Sequence, residues 1–179
     1  MYEIDTIDRK IVDLLMEDGR MPSAEIARRI GGISERSVRY RIERMVSHDI
    51  IHVGAIPNPR TLGFSVVADV SIEVEPGDVL QVARKLAEYE CVSYVGCATG
   101  ERDVSIQIVA HDNAELYTFV TEVLGNVPGV RKTTTSIIPI LLKDVYQWHI
   151  PASACQADKE RQQPSAPMQP APSRVGRSP

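Results

Sequence analysis

Residues 33–45 read ISERSVRYRIERM, and their spacing decides what the first third of the chain is. Val38, Ile42 and Met45 recur at the i, i+4, i+7 interval of one helical face. At about 100° per residue, Arg36, Tyr40 and Arg44 fall on the opposite face, with Ser37, Arg39 and Arg41 at its flanks. Ser34 stands where an N-cap belongs. The stretch predicts one helix with an aliphatic stripe and a guanidinium-rich outer face. A helix lying in the major groove of DNA needs that face, with bidentate donors for guanine edges and cations for phosphates. A solvated amphipathic helix would show the same pattern, so the neighbours have to decide.

Upstream, either Asp5 or Thr6 caps a helix whose Ile7, Ile11, Leu14 and Leu15 share one face, and Gly19 stops it. Ser23 is the expected N-cap of a short second helix with Ile26, Ala27 and Ile30 turned inward. Gly31 and Gly32 make the tight connection to the helix from Ser34, since glycine tolerates positive φ. Two helices joined by a glycine turn and backed by a third describe a helix-turn-helix unit, whose third helix reads bases. Downstream, Ile50, Ile51, Val53 and Ile56 read as a short strand, the wing or exit strand, ended by Pro57 and Pro59. The expected head therefore spans residues 1–56, a winged helix-turn-helix.

Charge supports that assignment. The formal net charge is -4, yet residues 28–44 hold six arginines against only Glu35 and Glu43. A focused positive patch steers a protein to phosphate, and Arg28 and Arg29 extend it. The three cysteines lack a CxxC pair, which fits a reducing compartment. There is no basic, apolar leader and no apolar run of about 18 residues, so the expectation is a cytoplasmic protein with no membrane partner.

Residues 4–64 resemble the N-terminal half of the Lrp/AsnC (feast/famine) transcriptional regulators. Asp5, Asp8, Asp18-Gly19-Arg20, Arg41, Arg44 and Ile50-Ile51 stand at matching positions. Gly31-Gly32 departs from the single glycine of the family, and Glu35 from its usual proline or small residue.

Residues 65–150 read as a second domain, with residues 57–64 as a proline-stiffened linker. Val66, Ala68, Val70, Ile72 and Val74 alternate with Val67, Asp69, Ser71 and Glu73, the period of a strand with one buried face. A helix with Val79, Val82, Ala83 and Leu86 follows, then strands over 92–99 and 104–109 joined by Gly100-Glu101-Arg102-Asp103. A helix from Asp112 or Asn113 to Leu124 and a strand over 130–138 complete a βαββαβ order, the ferredoxin-like arrangement. Its helices cover one face, so the other, expected to carry Val67, Val95, Val109 and Ile137, suits pairing with an identical subunit. That copy would supply the second recognition helix of a two-fold DNA site.

In the loop, Gly100 exposes backbone N–H groups to a carboxylate and Asp103 suits an ammonium, together an amino-acid zwitterion. A plain hairpin turn with solvated charges accounts for the same spacing. The run from Val95 to Ser136 resembles the family's effector-binding and oligomerisation (RAM) domain through Gly100, Asp103, Pro128-Gly129-Val130 and Thr135, with Val104 where an aromatic is common. The resemblance implies an amino-acid effector held between subunits near Gly100, Asp103 and Thr135, and a homodimer that assembles into a tetramer of dimers. It also implies control of amino-acid metabolism genes through operator DNA.

Arg36, Ser37 and Tyr40 are the expected base contacts, with Arg39, Arg41, Arg44, Arg28 and Arg29 on phosphates. No catalytic, metal or cofactor set is apparent: His48, His52, His111 and His149 are scattered, with no nucleophile–base pair. Two other classes stay open, a helix-turn-helix module that binds protein without effector control, and an enzyme on the ferredoxin-like domain. Residues 151–179, rich in Gln, Pro, Ser and Ala, are expected to be a disordered tail.

Overall fold

The computed structural model describes residues 2–155. Two compact units divide the chain. Among the described residues, one joins residues 2–55 to residues 145–155, and the other is Ile56–Asp144.

The first unit holds α1 (Thr6–Glu17), α2 (Ser23–Ile30) and α3 (Glu35–Ser47). The Asp5 carboxylate caps α1 by accepting the N–H groups of Ile7 and Asp8, both at 2.8 Å. Asp8 returns the favour by accepting the Asp5 N–H at 3.2 Å, a reciprocal box built from two aspartates. α2 departs from expectation at its start. Its cap position is Pro22, whose carbonyl accepts the N–H groups of Glu25 and Ile26, and Ser23 is already helical. Gly31 and Gly32 both take positive φ, +72° and +68°, so two left-handed residues in succession build the turn into α3. A Cβ at either position would strain that turn, which explains the doubled glycine. Ser34 caps α3 through its hydroxyl, which accepts the Ser37 N–H.

Ile11, Ile26, Val38 and Met45 are fully buried where the helices meet, and Ile150 joins them from the far end of the sequence. The segment from Val145 to Cys155 is thus part of the first unit, although the sequence placed residues up to 150 with the sheet. Arg9 Nε donates to the Ile150 carbonyl at 3.0 Å, His149 pairs with Asp13 at 2.9 Å, and the buried Cys155 thiol donates to the Asp5 carbonyl. Residues 152–154 form a 3-10 turn, and Ala154 and Cys155 pack into this unit, a correction to the expected tail at these residues. The remainder of that tail, 156–179, lies outside the described residues.

A second correction concerns the wing. Residues 51–58 form no strand among the described residues, and Val53 and Ile56 are exposed. A strand needs a partner for its N–H and C=O groups, and the described residues offer none there.

The second unit carries β1 (Val66–Val74), α4 (Val79–Leu86), β2 (Val92–Cys97), β3 (Val104–Ala110), α5 (Asn113–Thr118) and β4 (Val130–Ile137). The strands form one antiparallel sheet in the order β2-β3-β1-β4, the ferredoxin-like topology. After α5 the helical path loosens into a π turn over Phe119–Val123 and a 3-10 turn over Leu124–Asn126, rather than running as one helix. Ala68, Val70, Ile72, Val104, Ile106 and Ile108 meet Val82, Leu86, Leu116 and Leu124 in the core.

The open face is not quite the expected one. Val67 and Val109 pair with each other upon it, but Val95 pairs with Ile106 and Ile137 with Ala68, both on the helix side. A bulge between Val92 and Tyr94 shifts the parity of β2, so Tyr94 and Gly96 face outward instead.

Candidate nucleic-acid interface and effector groove

On α3, Val38 and Met45 are completely buried, which turns Arg36, Tyr40 and Arg44 outward. Tyr40 is 56% exposed. The six arginines of residues 28–44, alike in sequence, are employed differently in space. Arg36 has no ion pair or side-chain hydrogen bond among the described residues. Arg39 pairs with Glu35 one turn back at 2.6 Å, an exposed pair that water and salt screen. Arg28 grips Glu25 with two hydrogen bonds, at 2.9 and 2.6 Å, while Arg29 shares Glu25 and adds Glu17 at 2.8 Å. Hydrogen bonds from Arg28 and then Arg29 hold the Glu25 carboxyl below the usual range.

Arg44 has ring faces about it instead of a carboxylate. Its guanidinium lies 4.8 Å from the Tyr2 ring centre and 5.6 Å from that of Tyr40. Tyr2 is fixed in turn, its hydroxyl donating to Asp8 at 2.9 Å and its ring 5.4 Å from His48. Burial, and then the hydrogen bond to Asp8, push the Tyr2 hydroxyl up to about 12.

Arg41 is the residue whose expected role the structure changes. One nitrogen lies 2.7 Å from Asp8 and 2.8 Å from Asp5, and Asp8 is 1% exposed. The side chain is a strut between α3 and the start of α1. Ser37 is half-buried beside it and caps nothing itself; its N–H is the group that Ser34 satisfies.

In the second unit the loop residues also separate. Gly100 has φ +126° and open space around it, leaving its backbone accessible. Asp103 is occupied: its carboxylate accepts the Val74 N–H at 2.8 Å, and its own N–H donates to the Ile72 carbonyl at 3.0 Å. It ties the hairpin to the end of β1 rather than offering a bare carboxylate. Thr135 pairs with Val70 on the helix side of β4, while Thr134 is its neighbour on the open face. β1 stands between β4 and the hairpin strand β3, so Thr135 does not join Gly100 and Asp103 in one site within a chain.

An open groove of about 440 Å³ lies instead against Ser71, Glu73, Glu101, Arg102, Lys132 and Thr134. Lys132 pairs with Glu73 at 2.9 Å across it. Its volume suits a small ligand. Two cations and two carboxylates at one place match a molecule that carries both signs. Sequence reasoning missed Lys132 and Glu73, although their place opposite each other on β4 and β1 follows from the strand pairing. Among the described residues there is no cluster of three or more His, Cys, Asp or Glu side chains that would hold a metal, and no helix long and apolar enough to cross a membrane.

A helix-turn-helix head followed by a ferredoxin-like sheet with a ligand-sized groove defines a DNA-binding regulator with a small-molecule domain. Residues 4–46 match the AsnC-type helix-turn-helix domain, and residues 67–145 match the Lrp/AsnC ligand binding domain. The chain belongs to the Lrp/AsnC family of transcriptional regulators. It is 39% identical over 142 residues to an uncharacterised HTH-type transcriptional regulator of Pyrococcus horikoshii, covering 79% of this chain and 89% of that one. The HTH-type regulator FL11 of Pyrococcus abyssi is 36% identical over 136 residues, 75% of this chain and 89% of its own. Among solved structures, AsnC of E. coli superposes with a TM-score of 0.72 at 25% identity, over 83% of this chain and 99% of that one. A Neisseria meningitidis transcriptional regulator solved as its L-Met complex gives a TM-score of 0.72 at 22% identity, over 79% and 93%.

Proposed function

We propose that this regulator reads a two-fold operator with paired α3 helices and that an amino acid bound on the sheet unit controls it. The observation that carries the first half is the outward row Arg36, Tyr40 and Arg44, set opposite a buried stripe and free of carboxylate partners among the described residues. Arg36, Ser37 and Tyr40 address base edges, while Arg39, Arg44, Arg28 and Arg29 address phosphates. The ion pairs of Arg39 and Arg28 are exposed, so exchanging a carboxylate for a phosphate is a small step.

The effector is an amino acid whose carboxylate meets Arg102 and Lys132 and whose ammonium meets Glu73 and Glu101, with the Gly100 backbone at the rim. The mixed charge of the groove supports this, as does the L-Met complex of the Neisseria relative. Asp103 shapes the loop. A second copy seated on the open face, around Tyr94, Val67 and Val109, gives the dimer that two half-sites require, and dimers assemble further as in a tetramer of dimers. Effector binding shifts the operator equilibrium by as much as it favours one assembly over another. Genes of amino-acid metabolism are the fitting targets.

The experiment is a salt series of binding to selected duplex DNA, with amino acids titrated while sedimentation is followed. Affinity that is indifferent to salt, or that survives Arg36→Ala with Arg44→Ala, overturns the DNA half. Binding and sedimentation unmoved by every amino acid overturn the effector half.

A further inference from the structure

Four of the six arginines of residues 28–44 are neutralised by carboxylates, Arg28 and Arg29 by Glu25, Arg39 by Glu35, and Arg41 by Asp5 and Asp8, while Arg36 has no partner among the described residues. Arg44 is held otherwise, its guanidinium near the rings of Tyr2 and Tyr40 with no ion pair among the described residues. A carboxylate partner orients a guanidinium but cancels its charge toward a phosphate. A ring face orients it and leaves the charge in place. The rotamer freedom that a long side chain gives up on binding is then partly lost beforehand.

Tyr2 does this from outside any helix. Its hydroxyl is anchored on Asp8, the same carboxylate that receives Arg41 from α3. The ring is therefore referenced to the recognition helix through Asp8 and Arg41, and touches that helix again through Arg44.

With DNA binding by α3 as the premise, we propose that Tyr2 is a positioning residue of the DNA-reading surface, which with Tyr40 presents the Arg44 guanidinium, oriented and un-neutralised, to a backbone phosphate. Residues ahead of α1 thus belong to the reading head.

The test uses the full chain and duplexes recovered from a random library by the wild-type protein. Tyr2→Phe and Tyr2→Leu lose the same hydrogen bond to Asp8, so they share that cost to the fold and differ in the ring face. Tyr2→Phe, which keeps the ring face and loses only its anchor, falls by about 2-fold, while Tyr2→Leu loses about 3- to 10-fold, the range of a cation–π contact. Thermal melts report stability separately. In an Arg44→Ala background, which itself lowers the salt slope by about 1, Tyr2→Leu has no further effect. Equal binding by the Phe and Leu variants, or a Tyr2→Leu loss that persists without Arg44, overturns the proposal while leaving DNA reading by α3 intact. Failure of the wild type to retain any duplex overturns DNA reading itself, and this assignment with it.

Discussion

Arg41 on the third helix lies 2.7 Å from Asp8 at the start of the first, and Asp8 is 1% exposed. Taking an arginine away from a buried carboxylate leaves an uncompensated charge, which is far costlier than losing an exposed pair. Tyr2 and the Asp5 N–H still donate to Asp8, which softens the loss. Arg41→Met is expected to destabilise the head by about 2–4 kcal/mol in urea unfolding. The DNA salt slope of the folded protein should stay at its wild-type value, because the side chain faces inward. A slope reduced by about 1 would return Arg41 to the phosphate contacts.

Arg36 should behave in the opposite way. With no partner among the described residues, Arg36→Ala is expected to leave stability within about 0.5 kcal/mol. Operator affinity should fall by about 10-fold or more, the value of one good base contact. Melting curves and binding isotherms on the same preparation check both halves.

Asp5 gives a pH dependence whose sign can be worked out. Burial pushes its carboxyl upward, but the Asp8 N–H, the Arg41 guanidinium and the Ile7 N–H outweigh burial and hold it below its ordinary value of 3.8. The unfolded chain therefore takes up this proton first as the pH falls. The stabilisation is complete above pH 3.8 and is lost as the pH drops through the folded value. The stability difference between wild type and Asp5→Asn should be flat from neutral pH down to about 4 and shrink below it. A difference that grew on acidification would contradict the cap.

Ile150 tests the unexpected partner of the helices. It is 7% exposed within the cluster of Ile11, Ile26, Val38 and Met45. Ile150→Ala is expected to cost the head about 2–4 kcal/mol. Hydrogen exchange should show the loss in α1 to α3, with β1 and β3 protected as before. Equal loosening of the strands would mean that Ile150 serves the sheet.

The element order was legible because periodicity reports which face is buried. The i, i+4, i+7 stripe of Val38, Ile42 and Met45 and the strict alternation of residues 66–74 each admit one reading. What escaped had non-local causes. Arg41 lies at the flank of α3 and Arg44 on its outward row, two arginines that look alike in the sequence. Only partners more than thirty residues away, Asp5 and Asp8 for one and Tyr2 for the other, distinguish them. Ile150 is a lone apolar residue after His149, with no period to announce that it is core. Val95 was put on the wrong face because a bulge inverts parity, and a bulge leaves no mark in the composition. Residues 51–56 have strand residues but no strand partner among the described residues. In the effector region, glycine and aspartate spacing found the hairpin. The charged groove beside it is assembled from three separate stretches, which strand register alone brings together.

Residues 2–47 and 145–155 build the head together, and the residues of the sheet unit, 56–144, lie between them in the sequence. Synthesis runs from the N-terminus, so residues 56–144 have all been made before Ile150 and Cys155 can reach α1. The reading head is thus finished last. A copy cut short before residue 150 is expected to carry an entire sheet unit with an incomplete head, and to compete poorly for operators.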